Sequence, residues 1–446
     1  MQKHALPLLF SLALLPALHA EDWPQWRGPN RDGVWQVDGV LERLPQGQLE
    51  AEWSVDIGPG YNGPTVADGR VYVMDRIKED ESERILCLDS KSGKELWAHK
   101  YSAPYGKLGY KAGPRASVTI REGKAYAVGS VGHFHCLDSI SGEVIWEHDL
   151  RSKYKIDMPI WGITASPMIY EELVIQQVGG EGDANMVAFD KGTGKEIWRA
   201  INEKAGYSSP VIIQQQGQDV LVCWTGESLS GLNPKTGKLL WRHAMRSVNM
   251  PIGIATPSID GDQIFVSSFY DGSLMIRKSK DALETDLVWR ARGESEKRTG
   301  SKVVTRADGR VEFDERNYGI HTMIGTPIVQ NGYIYSVDSY GEFRCLEAET
   351  GKRVWENVSA VPRNRWATIH MVRQADRVWM FNEAGELMIA KLSPNGLEIQ
   401  SRAKLIEPTR VQLPRRDGVC WSHPAYAEKS IFVRNDNRII RVSLAK

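Results

Sequence analysis

Large aromatic and basic side chains recur at matched places along this chain, each a few residues ahead of a short apolar run. They are Tyr61 and Asn62; Tyr110, Lys111 and Arg115; Trp161; Tyr207; Asn249 and Met250; Tyr318 and His321; Arg365 and Trp366; and Trp421 and His423. Turn positions have backbone reasons to be small, and these positions have no shared backbone reason to be large. Converging, they form a concave, aromatic, positively charged funnel that stacks and charge-pairs a ligand. Sugars bearing carboxylates or sulfates suit such a funnel, and so does an acidic peptide. His321 and His423, with a tyrosine near Arg115 and Arg365, could also do acid–base work on an anionic sugar. The alternative is that these side chains plug an axis and pack against one another.

The elements that must position them repeat. Leu88-Asp89-Ser90-Lys91-Ser92-Gly93-Lys94-Glu95-Leu96-Trp97 is echoed by segments ending at Trp146, Trp198, Trp241 and Trp355. A period of roughly 40–50 residues is the signature of a propeller or solenoid. Each copy reads as strand, tight turn, strand: Asp or Asn bonds the turn backbone, Gly supplies positive φ, and apolar residues alternate on either side. Two more strand signals lie upstream of each turn, as in Thr65-Val66 and Val71-Tyr72-Val73-Met74 split by Asp68-Gly69. Four strands with no helical stretch between them make a blade and exclude βαβ folds. The expected role of Trp53, Trp97, Trp146, Trp198, Trp241, Trp289 and Trp355 is docking between neighbouring blades.

Trp97 to Trp355 mark six units, and a degenerate seventh follows with Gln400 in the tryptophan place. The C-terminus offers three strands without a fourth, while Ala51-Glu52-Trp53-Ser54-Val55 carries an unpartnered strand at the other end. The expected fold is therefore all-β: an eight-bladed propeller of four-stranded antiparallel blades, the last closed by the N-terminal strand. Seven blades is the alternative count. Residues 1–20 read as a signal peptide, 21–49 as an extension packed on the propeller, and 50–446 as the ring with an insert at 290–320. Within the insert, Val303–Phe313 reads as a hairpin on an Asp-Gly turn.

Balanced charge, 56 basic against 56 acidic residues, argues against nucleic acid or a polybasic membrane contact. The apolar run at the start is too short for a spanning helix. No Cys follows the expected cut, so no lipid anchor is expected, and the destination is the periplasm or the outside. The five cysteines sit in apolar strand contexts without a CxxC or Cys/His cluster, which predicts buried free thiols and no metal site.

The Asp-x-x-Thr-Gly-Lys-x-x-Trp repeat resembles that of the pyrroloquinoline-quinone-like (PQQ-like) propellers, shared by quinoprotein alcohol dehydrogenases and the outer-membrane assembly factor BamB. Trp23-Pro24-Gln25-Trp26-Arg27-Gly28-Pro29-Asn30-Arg31-Asp32-Gly33 looks like the opening of many secreted proteins of that group. In the dehydrogenases, the resemblance implies a quinone between a Trp floor and two adjacent bonded cysteines, beside a calcium held by carboxylate and amide oxygens. Here no two cysteines are adjacent and no such oxygen cluster repeats, so no cofactor is expected. The BamB side implies a docking platform. The reading is an exported, monomeric, non-catalytic scaffold for a protein or polysaccharide in the cell envelope. The alternative is an enzyme, either a PQQ- and calcium-dependent dehydrogenase or a channel-face enzyme acting on anionic carbohydrate.

Overall fold

In the computed structural model the chain forms eight four-stranded antiparallel sheets and one separate hairpin. The structure describes residues 22–247, 250–291, 303–305, 311–313 and 319–446. The expected signal peptide, Asn249 and Tyr318 lie outside the described residues. Of the insert, the strands Val303–Thr305 and Val311–Phe313 pair as the Asp-Gly hairpin requires.

Blade 1 is Thr65–Ala67, Arg70–Ile77, Ser82–Asp89 and Glu95–Ser102, paired in chain order. The same order recurs through the seventh blade. Each blade begins with a short inner strand, and neighbouring inner strands touch around the axis. The fourth strand is outermost and alternates exposed with half-buried side chains, as a solvent-facing antiparallel strand should. Blade 8 is assembled from both ends of the chain: Trp53–Asp56 pairs with Arg438–Ser443, Trp53 opposite Arg441. The ring is thereby closed and its edges are short. One element departs from the all-strand reading. A five-residue helix, Leu150–Tyr154, follows the outer strand of blade 2, started by Asp149, whose carboxylate accepts from the Ser152 N–H.

The co-repetition of glycine and tryptophan has one cause, because the two meet across five blade junctions, those of Trp53, Trp97, Trp146, Trp198 and Trp289. Trp53 Nε1 donates to Ser90 O, Trp97 to Ser139 O, Trp146 to Lys191 O, Trp198 to Pro234 O, Trp289 to Ala348 O and Trp355 to Ser393 O. Each acceptor lies in the outer turn of the following blade. The turn glycine then sits under the ring. A Cβ built on Gly142, at φ +76°, would stand 2.6 Å from Trp97. Trp241 is the exception: it donates to Gln215 Oε1, in its own blade.

The cysteine position is explained by the same ring. Cys87, Cys136, Ala188, Gly231 and Cys345 each lie opposite the tryptophan of their own blade. The residue is small in those five blades, while in the fifth the flexible Met275 lies opposite Trp289; all five cysteines are buried and free. In the degenerate seventh blade the strand pairing places Ser401, not Gln400, opposite Ile389 in the tryptophan register. The turn ahead of it is a tight hairpin with Ser393 opposite Gly396, so counting from the glycine falls one short. Ser401 Oγ accepts from the Leu44 N–H.

Residues 22–49 cross the ring and join several blades. Trp23 pairs with Val66, Val34 with Arg373, Gln48 with Lys404 and Val40 with Ala445. Trp23 and Trp35 are buried with Tyr426 and Trp379 in one core cluster.

The junction contact gives a first expected result. Gly142→Ala forces a methyl both into a left-handed backbone and against Trp97, and should destabilise the protein by about 2 kcal/mol. Urea unfolding reads it. A change below about 0.5 kcal/mol, the level of a surface substitution, would show that the turn and ring do not hold each other.

Candidate functional site

The residues just ahead of the inner strands converge on the axis. Tyr61, Tyr110, Arg115, Trp161, Tyr207, Trp366, Trp421 and His423 line one cavity of about 850 Å³, its open mouth included. The rings form a connected wall: Tyr207–Trp161 at 5.1 Å between centroids, Trp161–Tyr110 at 5.9 Å, Tyr110–Trp366 at 5.8 Å and Trp366–Trp421 at 6.4 Å. The axis is therefore not filled: it holds an aromatic cup.

The floor comes from elsewhere in the chain. The N-terminal segment contacts the far ends of the inner strands: Ile120 N–H donates to Pro24 O, and Arg31 donates to Pro167 O and Pro210 O. From that side Trp26 reaches up into the cavity. It donates to Thr256 Oγ1 at 2.7 Å and meets the edge of His423, centroids 4.4 Å apart. Trp26 thus forms a floor to the cup, opposite the strand-leading loops.

Around the floor runs a relay of hydroxyls. Ser166 Oγ accepts from Ser117 N, Ser209 Oγ from Ser166 N, and Thr326 Oγ1 from Thr256 N. Its sequence signal is a Ser/Thr-Pro pair opening the inner strands, as in Ser166-Pro167, Ser209-Pro210, Thr256-Pro257 and Thr326-Pro327. In blade 8 the pair is His423-Pro424 and in blade 1 Gly63-Pro64. A Cβ on Gly63 would lie 2.1 Å from His423 O and 2.5 Å from its ring. Glycine fits there because the blade 8 backbone, and the imidazole beside it, leave no room for a Cβ.

The two floor imidazoles are neutral. His423 Nε2 is 2.6 Å from Ser117 Oγ, and His370 Nε2 is 2.8 Å from Trp421 O. Burial lowers His423 to about 3 and His370 to about 4. With both rings bonded and uncharged, the floor is polar rather than cationic.

Several expected site residues have other tasks. Arg115 lines the cup beside Tyr61, but its guanidinium is engaged by the loop around it. Its terminal nitrogens donate to Gly109 O, Tyr110 O, Gly113 O and Ser130 Oγ at 2.7–3.1 Å. It is a positioning residue for the loop that carries Tyr110, whose φ is +51°. Asn62 is fully buried and accepts from Arg434 Nη1, outside the cup. Lys111 is exposed and donates to Gly106 O. His321 is buried beside Asp338, Nδ1 to Oδ2 3.5 Å, and does not line the cavity. His321, His423 and the two arginines therefore do not meet at one point, and the acid–base arrangement is not formed.

Positive charge is carried instead by the rim. Arg365 and Arg415 lie 5.0 and 4.9 Å from the Trp366 ring centroid. Neither makes an ion pair with a described carboxylate, whereas their neighbour Arg416 is bonded to the buried Glu383. Trp366 itself has φ +69°, held by its N–H to Ser339 O at 2.6 Å and by Thr368 Oγ1 on its carbonyl. An aromatic residue in that region costs about 1–3 kcal/mol, and strain of this kind concentrates at ligand clamps. Trp26, His370 and Arg415 were not legible as site residues: the first two sit outside the strand-leading loops, and the third follows a proline in a loop without repeat register.

The donor set does not suit the quinone–calcium pair. Calcium takes six to eight oxygens, carboxylates prominent among them, and none of the residues lining the cup is Asp or Glu. The cysteines lie on strands of separate blades or in the loop ahead of blade 8, so none forms an adjacent pair. Among the described residues no group of three or more His, Cys, Asp or Glu is placed to hold a metal. No helix of the described residues is long and apolar enough to cross a membrane.

A family model described as outer membrane protein assembly factor BamB matches residues 81–357, more than half of the chain. Among solved structures, BamB from Moraxella catarrhalis is 12% identical with a TM-score of 0.54, covering 88% of this chain and 99% of that one. A europium-containing methanol dehydrogenase is 13% identical with a TM-score of 0.61, covering 93% and 89%. The computationally designed Ika8 protein is 10% identical with a TM-score of 0.51, covering 89% and 98%. No curated protein matches. At these identities the likeness is one of fold, and the same ring serves an assembly factor, a dehydrogenase and a design.

Proposed function

The chain belongs to the PQQ-like propeller family described as outer membrane protein assembly factor BamB, and from that premise we propose that it is a non-catalytic binding platform of the cell envelope. Its ligand is a segment of protein or polysaccharide that enters the cup and carries acidic groups to the rim. The observation that supports this most is the connected wall of Tyr110, Trp161, Tyr207, Trp366 and Trp421 above a floor formed by Trp26. Aromatic faces bind sugar rings and flat or apolar side chains without chemistry of their own. The hydroxyls and neutral imidazoles beneath supply hydrogen bonds that fix orientation. Arg365 and Arg415 pair with carboxylates or sulfates at the mouth. An exported, monomeric protein suits this role.

The test is titration of the whole protein with acidic oligogalacturonate and, separately, with an oligoglutamate peptide, followed by tryptophan fluorescence. One of the two is expected to bind saturably. Trp366→Ala should then weaken it about 10- to 30-fold, the scale of a central aromatic anchor. Binding of neither probe, or binding that Trp366→Ala leaves unchanged, overturns the reading.

A further inference from the structure

A second cavity, polar and about 690 Å³ with its mouth, lies at the opposite end of the channel. The N-terminal segment forms one wall, and the inner strands Val211–Gln215, Ser258–Asp260 and Ile328–Gln330 form others. Four cations line it, Arg27, Arg31, Lys278 and Arg373, against the single carboxylate of Asp32.

None of the four makes an ion pair with a described carboxylate. Their partners are neutral. Arg27 donates to Arg31 O and Asp32 O, and Lys278 to Gln214 O at 2.9 Å. Arg31, only 4% exposed, donates to Gln25 Oε1 and to strand carbonyls. Asp32 Oδ1 accepts from the Val34 N–H, in its own turn. Among the described residues Arg373 bonds the N-terminal segment through its backbone alone, its N–H on Gly33 O and its carbonyl accepting from Trp35 N, and its side chain lines the cavity. Arg27 is attracted by Asp32 and, more weakly, repelled by Arg373, and Asp262 acts on Lys278 from outside the lining. Four cations against one lining carboxylate leave positive charge in excess, which is costly in a partly desolvated basin, and a bound anion removes that cost.

We propose that this basin binds an oxyanion, a phosphate or carboxylate group of a small ligand, with Arg373 and Arg27 as direct ligands and Lys278 opposite. The site is separate from the cup, and its occupation does not depend on what the cup takes. Its two charged arms from the N-terminal segment also make the site a product of how that segment crosses the ring.

Calorimetric titration of the whole protein at constant ionic strength tests this, with inorganic phosphate and succinate as separate probes and chloride as background. Saturable one-site binding of at least one probe is expected. It should weaken at least about 10-fold, one decade or roughly 1.4 kcal/mol, in Arg373→Gln and in Lys278→Gln, and persist in Arg365→Gln at the cup rim. Phosphate binding alone would assign phosphate chemistry; succinate alone would assign a carboxylate. Absence of saturable heat with both probes overturns the proposal. So does binding that both basin variants retain, or binding that Arg365→Gln abolishes. Should Arg373→Gln fail to fold, Lys278→Gln decides by itself, because its exposed end sits outside the strand ladder.

Discussion

Arg434→Met is expected to destabilise the protein by about 3–5 kcal/mol, more than any surface substitution in the ring. Arg434 is fully buried at the seam where the chain's two ends meet. Its Nη1 donates to Asn62 Oδ1 at 3.0 Å and to Met74 O at 2.7 Å, and its Nη2 to Gly58 O at 2.5 Å. Its Nε donates to Asn435 O at 3.2 Å. One guanidinium thus satisfies three acceptors of blade 1 and its leading loop from the second strand of blade 8. Methionine fills the volume but leaves those oxygens facing hydrocarbon, at about 1–3 kcal/mol for each one that water cannot reach. The companion seam residue provides the contrast. Arg441, its side chain 11% exposed, pairs with Glu52 at 2.7 Å and Glu428 at 2.9 Å and donates to Ser90 O at 2.8 Å. Glu52 is 45% exposed and stays solvated without its partner, and Ser90 O keeps its bond from Trp53 Nε1, so Arg441→Met should cost less than Arg434→Met. Urea unfolding of the two variants side by side is the measurement. Equal losses would mean that closure is carried by the strand pairing of Trp53–Asp56 alone.

That seam also shows how far the sequence is legible. The count of eight and the closing strand follow from turns and tryptophans because the two are halves of one inter-blade contact, repeated. The register fails at Ser401, because the turn ahead of it is a tight hairpin with Ser393 opposite Gly396, so counting from the glycine falls one short, and no tryptophan marks the spot. For the site, the aromatic positions were readable because they precede inner strands and so must face the axis or the mouth. Asn62 and Lys111 share those loops but point elsewhere, into the seam and to solvent, while the Arg115 guanidinium is engaged by its own loop, and spacing within a loop does not encode direction. Trp26 was visible only as part of a motif. Its place in the floor depends on the path of residues 22–34 across the ring, a long-range fact that no local pattern holds. The Ser/Thr-Pro pairs were in plain view, yet their meaning needs the ring: a hydroxyl that looks like a turn residue becomes the acceptor for the next blade's backbone.

Acidification is expected to unfold the protein through three histidines before carboxylates matter. Burial lowers His135 to about 3, His370 to about 4 and His423 to about 3. The Glu147 carboxylate lies 3.6 Å from His135, but it is exposed and too well solvated to offset the burial. In the unfolded chain each imidazole titrates near about 6.5. Below that value the unfolded state takes up protons that the folded state refuses, so stability is complete above about pH 6.5 and falls toward pH 3–4. At pH 5 each histidine should cost roughly 2 kcal/mol, from 1.5 pH units at about 1.4 kcal/mol per unit. Glu383 and Asp436 oppose this trend. Burial raises both, so the folded state binds their protons more readily than the unfolded chain does. A difference between variants removes that opposing contribution. Unfolding free energies of the wild type and His423→Gln, each at pH 7 and pH 5, should show a pH loss smaller by about 2 kcal/mol in the variant. His370→Gln should show nearly the same gain, because at pH 5 both folded values lie at least about one unit below the pH and both rings are neutral. Identical pH slopes in all three proteins would require the floor imidazoles to reach solvent protons freely. The cup would then be wetter at Trp26 than its buried floor allows, and its aromatic walls a weaker clamp.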